Sequence, residues 1–165
     1  MKRIILSILV VTFFFSVNVI CLETKILEVR NKIFEESKSI KPAIADSRDA
    51  VVLGNLRDTC LMVSGQLDAY FYMLGIFNTI SEDDLTYDSI SYLNDWLGRV
   101  KSLNRQNLDS LKGIGKGEIK DPKTKTHINN IESYFTELDT ILNGEISRIV
   151  FLTKNLKGKQ EVAQD

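Results

Sequence analysis

The stretch LGNLRDTCLMVSGQLDAYFYMLGIF, residues 53–77, decides how this chain folds. Leu53, Leu56, Cys60, Val63, Leu67, Tyr70, Leu74 and Phe77 follow one another at alternating spacings of three and four, and every one is apolar or aromatic. That spacing keeps one stripe of a helix turned toward neighbouring helices, the heptad pattern of bundles and coiled coils. The end of the stretch, LDAYFYMLGIF, overfills the stripe: eight of its eleven residues are large and apolar, where an amphipathic helix needs only about three or four in seven. Phe71 and Met73 flank the seam, where a bundle core widens. Tyr72 and Ile76 fall on the opposite side with Met62 and Ala69, at spacings of 7, 3 and 4. Gly65 and Gly75 on that side permit close approach by another backbone. A helix apolar on two faces is usually covered on both. Met62, Ala69, Tyr72 and Ile76 are therefore the candidate partner-binding residues, for a protein partner or for self-association. The alternative is that the first helix or the N-terminal segment folds over them, or that they are scattered surface apolars.

Working outward, the same periodicity recurs. Ile128, Ile131, Phe135, Leu138, Leu142, Ile149, Leu152 and Leu156 form a seam in which Glu145 is the one polar intruder. Ile90, Leu93, Leu97 and Val100 begin another that continues through Leu103, Leu108 and Leu111, with Asn104 and Asn107 near it. Leu22, Ile26, Val29, Ile33 and Ile40 make a shorter fourth, and no segment alternates with a period of two over a convincing length. Breaks lie between the seams. Lys41-Pro42 disfavours helix at residue 41, and Asp46 or Ser47 can cap the second helix, with Asp49 in its first turn. Ser81 can cap the third, with Glu82, Asp83 and Asp84 placed against its positive end. KGIGKGEIKDP, residues 112–122, ends the third helix with three glycines and a proline. Asn143-Gly144 resembles a hairpin turn, but the seam resumes in register beyond it, so it reads as a weak point within a helix. The expected helices cover about 22–40, 47–80, 82–112 and 122–157. The expected fold is all-α, an antiparallel up-down-up-down four-helix bundle spanning 22–157, ending in a polar tail at 158–165.

Residues 1–21, MKRIILSILVVTFFFSVNVIC, differ in kind. Lys2 and Arg3 precede an uncharged run from Ile4 to Ile20, the pattern of a secretory signal peptide. Three outcomes fit: cleavage after Cys21, lipidation at Cys21, or retention of residues 4–20 as a membrane anchor, since about 20 apolar residues can span a bilayer. Each places the domain outside the inner membrane, periplasmic or secreted, because the basic N-terminus stays inside. Removing Lys2 and Arg3 from the 21 basic residues leaves 19 against 22 acidic ones, a net charge of −3. It also leaves Cys60 alone on an apolar stripe, where it reads as a small buried hydrophobe.

The net charge of −1 for the whole chain, with no basic tail, speaks against nucleic-acid binding. The chemistry-bearing patterns are missing as well. His127 is the single histidine and has no Cys-x-x-Cys-His around it; there is no Glu-x-x-His for a di-iron site and no Gly-x-Ser-x-Gly. GIGKGE lacks the Gly-Lys-Ser/Thr ending of a phosphate loop, and the acidic run at 82–88 has no calcium-loop spacing. No catalytic, metal or cofactor residues are assigned, and His127 reads as an exposed or capping imidazole. Lys38, Lys41, Lys112, Lys116, Lys120, Lys123 and Lys125 gather at one end of the expected bundle, away from any membrane anchor.

The architecture resembles the membrane-anchored helical sensor domains of bacterial receptors, a likeness that carries no residues across. The expected function is a non-enzymatic extracytoplasmic interaction or adaptor module. The alternative is a small-ligand-binding or sensor-like bundle with Tyr70, Tyr92, Trp96 and Tyr134 lining its interior; an enzyme is a distant third.

Overall fold

The structure is a computed structural model that describes residues 22–41, 48–77, 79, 87–114 and 119–162. The signal peptide or anchor expected at residues 1–21, the caps expected at Asp46, Ser47 and Ser81, and Lys116 all lie outside the described residues. Among the described residues the fold is all-α with four helices: α1 over 22–39, α2 over Arg48–Phe77, α3 over Tyr87–Gly113 and α4 over Pro122–Val162. Their contacts are consistent with an up-down bundle. The helical backbone runs unbroken through Asn143-Gly144, and the missing side chain of Gly144 leaves room for Leu22 of α1, whose Cδ2 would sit 3.4 Å from an added Cβ. α4 continues to Val162, past the expected stop near 157, because LysGlyLysGlnGluVal at 157–162 holds no proline and several good helix formers.

α4 begins where its sequence carries both a cap and a preset backbone angle. Asp121 Oδ2 accepts hydrogen bonds from the Thr124 amide at 2.9 Å and from its hydroxyl at 2.8 Å, and Pro122 comes next as the first helical residue, where a missing N–H costs nothing. These bonds hold the Asp121 carboxyl below its usual range. The Asp121 amide in turn donates to Asp49 Oδ2 at 2.9 Å, so the start of α4 is tied to the first turn of α2. That contact puts the starts of α2 and α4 at the same end as the close of α1, where Glu36 meets His127. The lysines at 38, 41, 112, 120, 123 and 125 sit exposed at this end.

The seams form the core. Ile26, Val29, Ile33 and Ile40 of α1 are buried against Leu56, Cys60, Val63, Leu67, Tyr70 and Leu74 of α2, Leu93, Leu97, Val100, Leu108 and Leu111 of α3, and Ile128, Ile131, Phe135, Leu138, Leu142 and Ile149 of α4. Leu22, Leu53, Phe71, Met73, Phe77 and Ile90 pack against this core while half-buried. In α3 the seam takes a different path from the expected one. Asn104 is fully buried and Leu103 only half so, because the step from Val100 to the core position one turn on is four residues, and that position is 104. Among α2, α3 and α4, the pair α3 and α4 is in the most extensive contact, and α2 touches each of them less.

Candidate functional site

Buried polar side chains break the apolar pattern of the helices, and three of them, Glu36 of α1, Asn104 of α3 and Glu145 of α4, are each answered from another helix. In α1 the seam positions are 26, 29, 33, 36 and 40, and Glu36 fills the fourth. Its Oε1 lies 2.6 Å from His127 Nδ1 on α4, and Asn130 Nδ2 donates to Oε2 at 3.3 Å. His127 is thus not an exposed or capping imidazole, since its side chain is 19% exposed and paired across the α1–α4 junction. In α3, Asn104 Nδ2 donates to the Phe135 carbonyl of α4 at 2.8 Å. In α4, Glu145 is fully buried, accepts the Tyr70 hydroxyl of α2 at 2.5 Å and is gripped by Arg148, whose Nε donates to Oε2 at 2.9 Å. Each of these links has a member on α4, and buried polar groups of this sort fix the register of helices that apolar stripes alone would let slide.

Charge and burial act together in the last of these. Burial, then the negative charge and hydrogen bond of Glu145, push the Tyr70 phenol well above its usual range. Burial works to lower Arg148, but its hydrogen bond and attraction to Glu145 outweigh that and leave it raised. Glu23, 3.9 Å from Arg148 at the start of α1, is raised by burial against that attraction. Cys60, buried one helix away from Glu36, has its thiol pushed up to about 12 by burial first and by the Glu36 charge second. These groups are spent on one another inside the bundle, and among the described residues no cluster of three or more histidines, cysteines or carboxylates is arranged to hold a metal ion.

The surface of α2 is of another character. Tyr72 is 76% exposed, Ile76 60% and Met62 44%, while Ala69 is half-buried. Met62, Tyr72 and Ile76 therefore stand on an outer face that the other described helices leave largely uncovered, with Ala69 partly covered between them. Two further residues of that face are not marked by the overfilled stretch: Leu61 and Val51 are also exposed, one residue and about three turns from Met62 toward the helix start. Their signal is present in the spacing, because Val51, Gly54, Asp58, Leu61 and Gly65 step by three, four, three and four. With apolar residues on both faces, α2 has the length and composition that would cross a membrane, a property it shares with bundle core helices. Its inner face is the buried seam described above.

The four aromatics considered as ligand-lining residues are not brought together. Tyr70 points into the core toward Glu145, Tyr92 is exposed on α3, and Trp96 and Tyr134 are half-buried at the core edge. A cleft of about 230 Å³ lies instead between α2 and α3, lined by Val52, Leu56, Thr59, Asn107, Leu111 and Ile114 among others. No protein-family model, curated protein or solved structure matches the chain.

Proposed function

We propose that the protein is a non-enzymatic extracytoplasmic interaction module, exported by way of residues 1–21, that binds a protein partner through the outer face of α2. The carrying observation is the contrast on that helix: its inner seam is complete without Met62, Tyr72 and Ile76, which stand 44%, 76% and 60% exposed. Large apolar residues that add nothing to their own core are favoured when something else covers them, and contiguous exposed patches of this kind mark interaction sites. The pairing of Glu36 with His127 and of Glu145 with Tyr70 and Arg148 supports a structural rather than catalytic use of the interior. The domain outside residues 1–21 then needs no cofactor and no nucleic acid to do its work.

The test uses a photo-crosslinking phenylalanine analogue in place of Tyr72 in the cells that make the protein. An adduct with a protein at position 72, absent when the analogue replaces exposed Ser102 on α3, is the expected result. No adduct at 72, or equal adducts at both positions, overturns the reading. Fractionation checks the export half of the proposal, and full-length chain in the soluble cytoplasm would sink it.

A further inference from the structure

We infer that the outer face of α2 is self-complementary and that its partner is α2 of a second copy, running antiparallel about a two-fold axis at Gly65. This rests on the interaction-module reading and names the partner of that same face. Along the face, residues equidistant from Gly65 alternate in size. Ile76 and Gly54 each lie eleven residues away, Tyr72 and Asp58 seven, and Ala69 and Leu61 four. A two-fold axis at Gly65 therefore lays a large side chain of each copy over a small or polar one of the other, with Ile76 over Gly54 and Leu61 against Ala69. Tyr72 meets Asp58, where Arg57 already engages Oδ1, so the phenol has Oδ2 as an acceptor. A parallel arrangement would set Ile76 against Ile76 and Gly54 against Gly54, leaving a clash at one end and a gap at the other.

The glycines fit the same arrangement. A Cβ added at Gly54 or Gly65 would meet nothing within 4 Å, so packing inside the chain does not ask for glycine at either position, and glycine weakens a helix interior. A second helix crossing at Gly65 does ask for it, because the backbones can then approach closely. From Val51 to Ile76 the face runs 25 residues, about 38 Å at about 1.5 Å per residue, and a helix about 10 Å across gives a footprint of roughly 400 Å² per copy. Two footprints make roughly 800 Å², below the roughly 1,200 Å² of a stable specific interface and within the range of transient ones. The expected self-association is therefore weak and transient.

Cysteine substitutions in the full chain test the register, with the parent, which keeps Cys21 and Cys60, as the control. Under mild oxidation Gly65→Cys should form a dimer across the axis. Gly54→Cys alone and Ile76→Cys alone should stay at the parent level, while an equal mixture of the two should yield a mixed dimer. Gly65→Leu should keep the helical circular dichroism and weaken self-association at least tenfold in sedimentation. Dimers from Gly54→Cys or Ile76→Cys alone would overturn the antiparallel register. Absence of any disulfide above the control at a few hundred micromolar would overturn self-association altogether. If in that case the crosslinker at position 72 still traps a protein of another mass, this inference falls and the interaction-module reading stands; if it traps nothing, both fall.

Discussion

The two faces of α2 carry nearly the same kind of residue and meet opposite fates. Leu56, Cys60, Val63, Leu67 and Tyr70 on one side are 4% exposed or less, while Tyr72 and Ile76, at most nine residues from Leu67, stand well over half exposed. Hydrophobicity alone does not separate them; phase along the helix does. The inner residues fall where three other helices converge, and the outer ones fall where the chain has no further helix to offer among the described residues. A side chain's contribution to stability should track that phase rather than its composition.

The sharpest way to break the comparison is through Cys60. With its thiol pushed from 9.0 up to about 12, the thiolate fraction at pH 8 should be about a thousandfold lower in the folded protein than in an unfolded one, since the thiolate is the reactive form. Labelling with a thiol reagent at pH 8 should therefore be at least about a thousandfold slower in the folded protein than in denaturant, since burial withholds the thiol from the reagent as well as disfavouring the thiolate; fast labelling of the folded protein would place Cys60 outside the core. The same shift contributes a loss of stability at alkaline pH. A folded-state value above the unfolded one means the folded protein holds its proton longer, so stability is intact below about pH 9 and declines as pH rises from there toward about 12. The raised Tyr70 phenol adds to the decline in the same direction.

Leu67→Ala on the inner face should cost about 2–5 kcal/mol, as for other large-to-small changes in a packed core, read from denaturant unfolding. Tyr70→Phe keeps the ring and removes the hydroxyl donor to Glu145, whose oxygens still accept from Arg148, so the loss should be that of one hydrogen bond to a charged group, about 1.5–3 kcal/mol. Outward, the sign reverses. Gly65→Ala should stabilise the dilute, monomeric protein by about 0.4–1 kcal/mol, because the added Cβ meets nothing and the unfolded chain loses freedom. Ile76→Ala, smallest of all, should stay within about 0.5 kcal/mol of the parent. A loss at Ile76 that matched the loss at Leu67 would mean the outer face is covered within the chain and would erase the distinction between the two.

Most of the bundle was legible from spacing, because each helix repeats its apolar residues every three and four positions and the phase of that repeat is set locally. The places where polar residues enter the core were legible only as irregularities. Glu145 showed as an intruder in its seam, whereas Glu36 went unmarked, although the seven-residue step from Ile33 to Ile40 leaves a position where an apolar residue was due. Their partners were not readable, because Tyr70 lies 75 residues from Glu145 and His127 lies 91 from Glu36, and nothing local encodes such a meeting. Asn104 was hidden by Leu103, since an apolar neighbour one position off the repeat is the more conspicuous residue. On the outer face of α2, Met62, Ala69, Tyr72 and Ile76 were marked by their excess over what one buried stripe requires. Val51 and Leu61 were passed over because the stretch around them is not overfilled with apolar residues, so its second face does not announce itself.

That α4 holds a member of the Glu36, Asn104 and Glu145 links has a consequence for the order in which the molecule is made. As the chain is synthesised, Glu36, Tyr70 and Asn104 are all in place before Phe135, His127 and Glu145 exist. Three helices collapsing early would bury those groups unpaired, at a cost of about 1–3 kcal/mol each. A compact intermediate of the first three helices is thereby penalised, and the penalty is lifted only when the last helix supplies the partners. The placement of a few polar partners at the far end of the sequence thus ties the stability of the first three helices to the presence of the fourth.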